Sequence, residues 1–291
     1  MLTATSTEIP HMIKLGTRNS PLALAQATMV KQHLISLFPN LTISIIPIMT
    51  QGDIDKHQPL AAIGGKGVFI KSLEQALIAG TIDIAVHSLK DVTAHIDART
   101  CLAAFLSPES RTDCFVFSDG STYSSLEALP TGMSCATSSL RRKTLLNYLR
   151  PDILIKDIRG NVDTRVSKCS SGYADAVILS SVGLIRLNKQ HLIGYECNPE
   201  QFIPAPGQGV ITIQALHSNS KLISYLNALN KTPLQQHCLL EQRLVHAVGL
   251  DCNYPLGVYA VVNDGNVTVR VCWSQTDCTD YQEHLIQGTY K

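Results

Sequence analysis

One pattern recurs along this chain and limits what it can fold into: a short apolar run, a turn of small polar residues, then the opening of an amphipathic helix. Asp83 to Val92, DIAVHSLKDV, shows its first two parts, with Ile84-Ala85-Val86 followed at once by His87, Ser88, Lys90 and Asp91. A strand covered on both faces reads as a continuous apolar run, and open α/β sheets collect ligands beyond the carboxyl ends of such strands. Asp91 is therefore the first candidate for a catalytic carboxylate, with Lys90 beside it. A cap on the next turn explains a lone Asp as well, so the assignment depends on what else reaches the same sheet edge.

Taken in order, the chain begins the pattern with a strand at Ile13 to Gly16, then Thr17-Arg18-Asn19-Ser20-Pro21. Ser20 suits an N-cap and Pro21 a first helical residue, and Leu22, Ala25, Met29, Val30 and Leu34 recur at helical spacing. This puts Arg18 and Ser20 beside free N–H groups at a helix start, a ready anion site. A plain capping turn accounts for Ser20 but not for Arg18. A strand at Thr42 to Met49 leads to Gly64-Gly65-Lys66-Gly67 and a helix from Val68 to Ala79. That glycine cluster lacks the spacing of a phosphate-binding loop and reads as a flexible loop. With the strand before Asp91 it completes a βαβαβ unit with a parallel sheet.

From about Ala94 to Asp113 the composition turns polar, which predicts a hinge into a second unit. There the pattern repeats. A strand at Ser134 to Thr137 precedes Ser138-Ser139-Leu140-Arg141-Arg142; another, Ile153 to Ile158, precedes Arg159 and Arg165; a third, Ala174 to Leu179, precedes Arg186. Any one of these arginines reads as a solvated surface charge. Together with Arg18 they predict a basic sheet edge for a ligand with several acid groups, because guanidinium grips a carboxylate through two parallel hydrogen bonds. Pro204-Ala205-Pro206-Gly207-Gln208-Gly209 then turns the chain into a strand at Ile211 to Gln214, which is expected to return to the first sheet. Helices near Ser220 to Leu229 and Leu234 to Val248 and strands at Val258 to Val262 and Val267 to Trp273 follow. Cys252 falls on a loop between helix and strand, where a thiol is either reactive or inert.

Composition narrows the function. A net charge of +1 argues against a nucleic-acid or membrane-surface role, so an anion site must be local. Nine scattered cysteines without CxxC or zinc-ligand spacing suit free thiols in a reducing cytosol and no metal site. Neither a secretory signal nor a membrane-spanning apolar run is read, so the expectation is a cytoplasmic protein. With 291 residues the chain predicts two or three domains.

GTRNSPLALAQ, GGKGVF, AVHSLKDV, TSSLRR, RGNVDTR, PGQG and the Cys252 loop, in this order, resemble the porphobilinogen deaminase family from about Ile13 to Gly257. The resemblance implies an α/β fold with two periplasmic-binding-protein-like lobes plus a small α+β C-terminal domain. The expected division is 1–106 with 207–231 for the first lobe, 107–206 for the second, and 232–291 for a shortened third domain. It implies a hydroxymethylbilane synthase, a transferase of porphyrin and haem biosynthesis. Such an enzyme condenses four porphobilinogen molecules head to tail on a covalent dipyrromethane cofactor, with loss of ammonia, and releases the linear tetrapyrrole by hydrolysis. By the resemblance, Cys252 holds that cofactor through a thioether and Asp91 is catalytic. Lys90, Ser20, Thr137, Ser139, Arg141, Arg142, Arg159, Arg165 and Gln208 bind the cofactor, and Arg18, Arg186 and Lys66 bind substrate. The expected partner is porphobilinogen, with no nucleic acid and no membrane, and the expected state is a monomer.

The chain departs from the family pattern at several places. Ala62 replaces a lysine in the loop before GGKG, Thr93 a proline after KDV, and Gln214 a glutamate after PGQG; Leu250-Asp251 replaces a glycine pair before the cysteine. The chain extends roughly 40 residues past Cys252, which predicts a third domain without the family's terminal helix and with less core over its sheet. Two other readings keep the same lobes: a cytosolic binding protein for a polycarboxylate, and a degenerate paralogue that no longer turns over.

Overall fold

The computed structural model describes residues 12–49, 67–93, 95–249 and 254–289. Its first lobe is built from β1 (Met12–Arg18), α1 (Pro21–Leu37), β2 (Thr42–Ile48), α2 (Gly67–Ile78), β3 (Ile84–Ser88), β4 (Thr100–Leu106) and the late strand β10 (Ile211–Leu216). These strands form one sheet of order β2-β1-β3-β10-β4. β1 pairs in parallel with β2 and β3, while β10 runs antiparallel between β3 and β4. Ser20 caps α1, its hydroxyl accepting from the N–H of Ala23 at 3.3 Å, with Pro21 opening the helix. β3 shows why its apolar run is continuous. Ile84 and Val86 pack with Leu15, Val30 and Leu34 on one face of the sheet, and Ala85 packs with Leu73 and Leu77 of α2 on the other.

The second lobe comprises β5 (Asp113–Phe117), β6 (Ser134–Ala136), α3 (Leu140–Leu149), β7 (Leu154–Lys156), α4 (Val162–Ser170), β8 (Ala176–Ser180), α5 (Ser181–Arg186) and β9 (Tyr195–Glu196). Its sheet order, β7-β6-β8-β5-β9, repeats that of the first. β6 is parallel to β7 and β8, and β5 is antiparallel to β8 and β9. In each lobe the antiparallel strand is the one the chain builds immediately after crossing from the other lobe. This duplicated α/β arrangement gives the two lobes that the sequence predicts.

After α6 (Ser220–Leu226), α7 (Thr232–Val248) packs on a small antiparallel sheet of β11 (Gly257–Asn263), β12 (Asn266–Trp273) and β13 (Gln282–Thr289). Val245, Val258, Ala260 and Val269 make its core. Among the described residues β13 pairs only with β12, and each of its residues is exposed, Leu285 and Ile286 by half. No described helix is long and apolar enough to cross a membrane.

The structure corrects three expectations. The polar hinge between residues 94 and 113 contains β4, because the run from Cys101 to Leu106 is apolar enough to be buried against β10. β5 and β13 are strands that the sequence does not announce. β5 is a wholly buried strand whose apolar run starts at an aspartate, and β13 is exposed throughout, so neither shows the alternation that marks a half-buried strand. Arg186 ends a six-residue helix and does not open one, so the arginines of the second lobe do not share one position relative to their helices.

Candidate active site

Two crossings of the chain join the lobes side by side, residues 107–112 from β4 to β5 and 197–210 from β9 to β10. Their contact is close: a Cβ at Gly209 would lie 2.3 Å from the carbonyl oxygen of Ser110, and Gly209 has φ +86. The turn after β3 is tied to the same place, the Leu89 N–H donating to the Val210 carbonyl at 2.9 Å. Lys90 and Asp91, in a single 3-10 turn after that strand, therefore stand beside the crossings.

Gln208 is the junction. Its amide donates to the Arg111 carbonyl at 2.9 Å and to Asp113 Oδ1 at 3.0 Å, and its Oε1 accepts from Lys90 Nζ at 3.4 Å. Asp113, the first residue of β5, is fully buried. Arg141 Nη2 donates to its Oδ2 at 2.7 Å, and Arg142 donates to Oδ1 through Nη2 at 2.7 Å and Nε at 3.2 Å. The same guanidiniums hold the carbonyls of Ile203 and Ile178. Burial pushes the Asp113 carboxyl up, but Arg141 and Arg142 outweigh it and hold the group well below the usual carboxylate range. Two guanidiniums against one carboxylate leave this cluster one positive charge in excess.

The other sequence-predicted residues fall around this junction in distinct ways. Arg165 of α4 donates from Nε to the Gly160 carbonyl at 2.7 Å and has no ion pair among the described residues. Burial and the charge of Arg142 bring its guanidinium down to about 10. Thr137 is buried at the end of β6, and its hydroxyl accepts from the Ser139 N–H at 3.2 Å; Ser139 occupies the N-cap of α3 without a side-chain cap bond. Arg159 is exposed on the loop before α4. Arg186 donates to Glu109 at 2.9 Å and to the Gly209 carbonyl at 2.6 Å, so it braces the crossings. Ser20 serves its own helix as a cap, and Arg18 lies at the end of β1, near enough to act on His87. Cys252 and Lys66, with Ala62, Leu250 and Asp251, lie outside the described residues.

Asp113, Glu241, Arg111 and His87 take part here and were not singled out from the sequence. Glu241 of α7 is buried; it accepts from the N–H groups of Gly207 at 2.7 Å and Ala260 at 2.8 Å and pairs with Arg111. Asp113 left one signal: an acid heading an all-apolar strand needs a buried cation. Glu241 left none, because an acid on an amphipathic helix normally faces water.

A desolvated Arg165 without a carboxylate, and buried Ser180 Oγ and Arg186 Nε without partners among the described residues, make a donor set lacking acceptors. It suits a ligand bearing several carboxylates.

A family model described as "Porphobilinogen deaminase, dipyromethane cofactor binding domain" matches residues 13–224. The porphobilinogen deaminase of Xylella fastidiosa strain 9a5c is 38% identical over 259 residues, covering 89% of this chain and 84% of that protein. That of strain Temecula1 is 38% identical over the same length and coverage. Among solved structures, a probable amino-acid ABC transporter extracellular-binding protein from Bacillus subtilis has a TM-score of 0.46 at 13% identity, covering 81% of this chain and 97% of its own. The periplasmic VFT2 domain of BvgS from Bordetella pertussis has a TM-score of 0.42 at 16% identity, covering 81% and 92%. With the sequence match spanning both lobes, this chain belongs to the porphobilinogen deaminase family.

Proposed function

We propose that this chain is a hydroxymethylbilane synthase, which joins successive porphobilinogen molecules head to tail with loss of ammonia and frees the linear tetrapyrrole by hydrolysis. The observation that carries the reading is the meeting, where the crossings touch, of the Asp91 turn with a basic cluster of unbalanced charge. The donor set without acceptors fits a dipyrromethane, whose pyrroles carry acetate and propionate groups. When bound, that group supplies the nucleophilic ring carbon to which the next pyrrole is joined.

Asp91 faces the chemistry. Loss of ammonia from porphobilinogen leaves a cationic methylene-pyrrolenine, and a fixed carboxylate beside the pyrrole N–H stabilises that charge and orients the ring. Arg165, Arg159, Arg18 and Lys90 receive the ligand's carboxylates, with Thr137 and Ser139 donating at the start of α3 and Ser20 at the start of α1. Arg141, Arg142 and Gln208 act through the Asp113 cluster, which fixes the crossings and contributes the excess positive charge. Arg186 holds the Gly209 turn against which substrate binds, and Lys66 adds a charge from its glycine loop. Cys252 forms the thioether. This suits the state of the other thiols: burial pushes Cys114 and Cys238 up to about 12, leaving them protonated and poor nucleophiles. The crossings support the boundaries near 106 and 207 in a division into 1–106 with 207–231, 107–206 and 232–291, and the enzyme works as a cytoplasmic monomer.

Intact mass of the denatured chain beside Cys252→Ser tests the cofactor. A surplus of two linked pyrroles that vanishes in the variant is expected, together with porphobilinogen turnover by the wild type. A bare wild-type mass that added hydroxymethylbilane cannot change would refute the reading. Asp91→Asn is expected to keep the mass surplus and lose about 100-fold or more in kcat; near-normal turnover would remove Asp91 from the mechanism.

A further inference from the structure

His87 is the penultimate residue of β3, four residues before Asp91, and the mechanism above does not use it. It is buried, as are the groups behind it: Gln214 of β10, Glu74 of α2 and Thr100 of β4. Their hydrogen bonds close on one solution. The Thr100 hydroxyl donates its only hydrogen to the Asp97 carbonyl at 2.8 Å, so toward Gln214 it can only accept. Glu74 Oε1 accepts from the Asp97 N–H at 3.0 Å. Gln214 Nε2 lies 2.7 Å from Thr100 Oγ1 and 2.8 Å from Glu74 Oε1, and so gives one hydrogen to each. Its amide cannot be turned over without setting oxygen against two acceptors. Gln214 Oε1 therefore faces His87 Nε2, 2.9 Å away, and the hydrogen in that contact belongs to the histidine.

We propose that His87 is a positioning residue for Asp91, kept neutral by its burial and fixed with its proton on Nε2 by the Glu74–Gln214–Thr100 network, so that no imidazolium competes with the cationic substrate for the Asp91 carboxylate. The inference rests on the assignment of Asp91 given above. The groups acting on His87 are Gln214 from β10, Asp91 from the 3-10 turn and Arg18 from β1. Burial is the largest influence and lowers the imidazole to about 4; the Gln214 bond and the Asp91 charge oppose it, and Arg18 reinforces it. A glutamate at 214 would put a second carboxylate against Glu74 and an anion against Nε2, which draws a proton onto the ring.

The test is nitrogen NMR of the full chain labelled at histidine, with His87 assigned by its loss in His87→Gln, read beside pH profiles of turnover. His87 should remain in the Nε2–H form from about pH 8 to about pH 5, where an ordinary histidine titrates. Gln214→Glu should convert it to imidazolium at neutral pH, lower kcat about fivefold or more, and reshape the acid limb of the profile. His87→Gln added to Gln214→Glu, which offers an N–H that cannot become charged, should return the acid limb of the profile toward that of the wild type. Ordinary titration of His87 in the wild type, or a charged His87 in Gln214→Glu with unaltered turnover, overturns the inference. So does a loss of about 100-fold or more in His87→Gln, which would make the ring an acid or base in its own right. A wild-type chain without porphobilinogen turnover sinks the functional reading and the positioning role together; a titrating His87 in an active chain sinks only the latter.

Discussion

Asp113 and His87 both make stability fall on acidification, each in its own pH window. Arg141 and Arg142 hold the Asp113 carboxyl below its ordinary 3.8 despite burial, so the unfolded chain takes up the proton first as pH falls. Its contribution is full above about pH 4 and drains away below it. Removing this carboxylate strands two buried guanidiniums, and Asp113→Ala is expected to cost about 3–5 kcal/mol, measured by urea unfolding at neutral pH. His87 acts higher on the scale. Its folded value of about 4 against an ordinary 6.5 means that the unfolded chain binds a proton which the folded chain refuses. Stability is full above about pH 6.5 and falls as pH drops toward 4, by about 3 kcal/mol in all. In His87→Gln that slope should vanish from urea midpoints taken across this window.

The turn that ends the second crossing, just before β10, is the element on which the site depends. Gly207 has φ +67, and a Cβ there would lie 2.6 Å from Leu89 Cγ; Gly209 has φ +86 and lies against the Ser110 carbonyl. A side chain at 207 would push away the turn that carries Lys90 and Asp91, and one at 209 would part the crossings. Gly209→Ala should lower stability by about 1–3 kcal/mol from backbone strain alone, with more added by the displaced carbonyl. The check is a lower urea midpoint at unchanged m-value. PGQG was legible as a glycine-rich turn into a strand, but what each glycine touches is decided by residues about a hundred positions away. The helix starts were more legible. Ser20 with Pro21 is a local signal, and α1 begins where it says.

Across the whole molecule, Glu241 joins the C-terminal unit to the crossings. Its carboxylate binds Gly207 of the second crossing, Ala260 of β11 and Arg111 of the first crossing, whose guanidinium also sits 4.9 Å over the Tyr259 ring. Glu241→Ala should cost about 3 kcal/mol by leaving the largely covered Arg111 without its anion. Limited proteolysis read by mass should then show the α7 to β13 unit cut before either lobe. β13 adds little cover of its own, so the anchoring of α7 decides whether this sheet stays attached.

The chain by itself determined most of its elements, the return of β10 to the first sheet and the positions from which acid and base groups could act. Those are properties of neighbouring residues: apolar runs, caps, and turns that only glycine or proline permits. It also carried enough ordered motifs to point to one family. Only the tertiary structure decided which charges meet. Arg141 and Arg165 look alike in sequence, each following a strand and a polar turn, yet one is paired with buried Asp113 and the other has no ion pair among the described residues. That difference arises because the first crossing delivers an aspartate to the head of β5. Coulomb interaction and desolvation depend on distance and burial, which no spacing along the chain records.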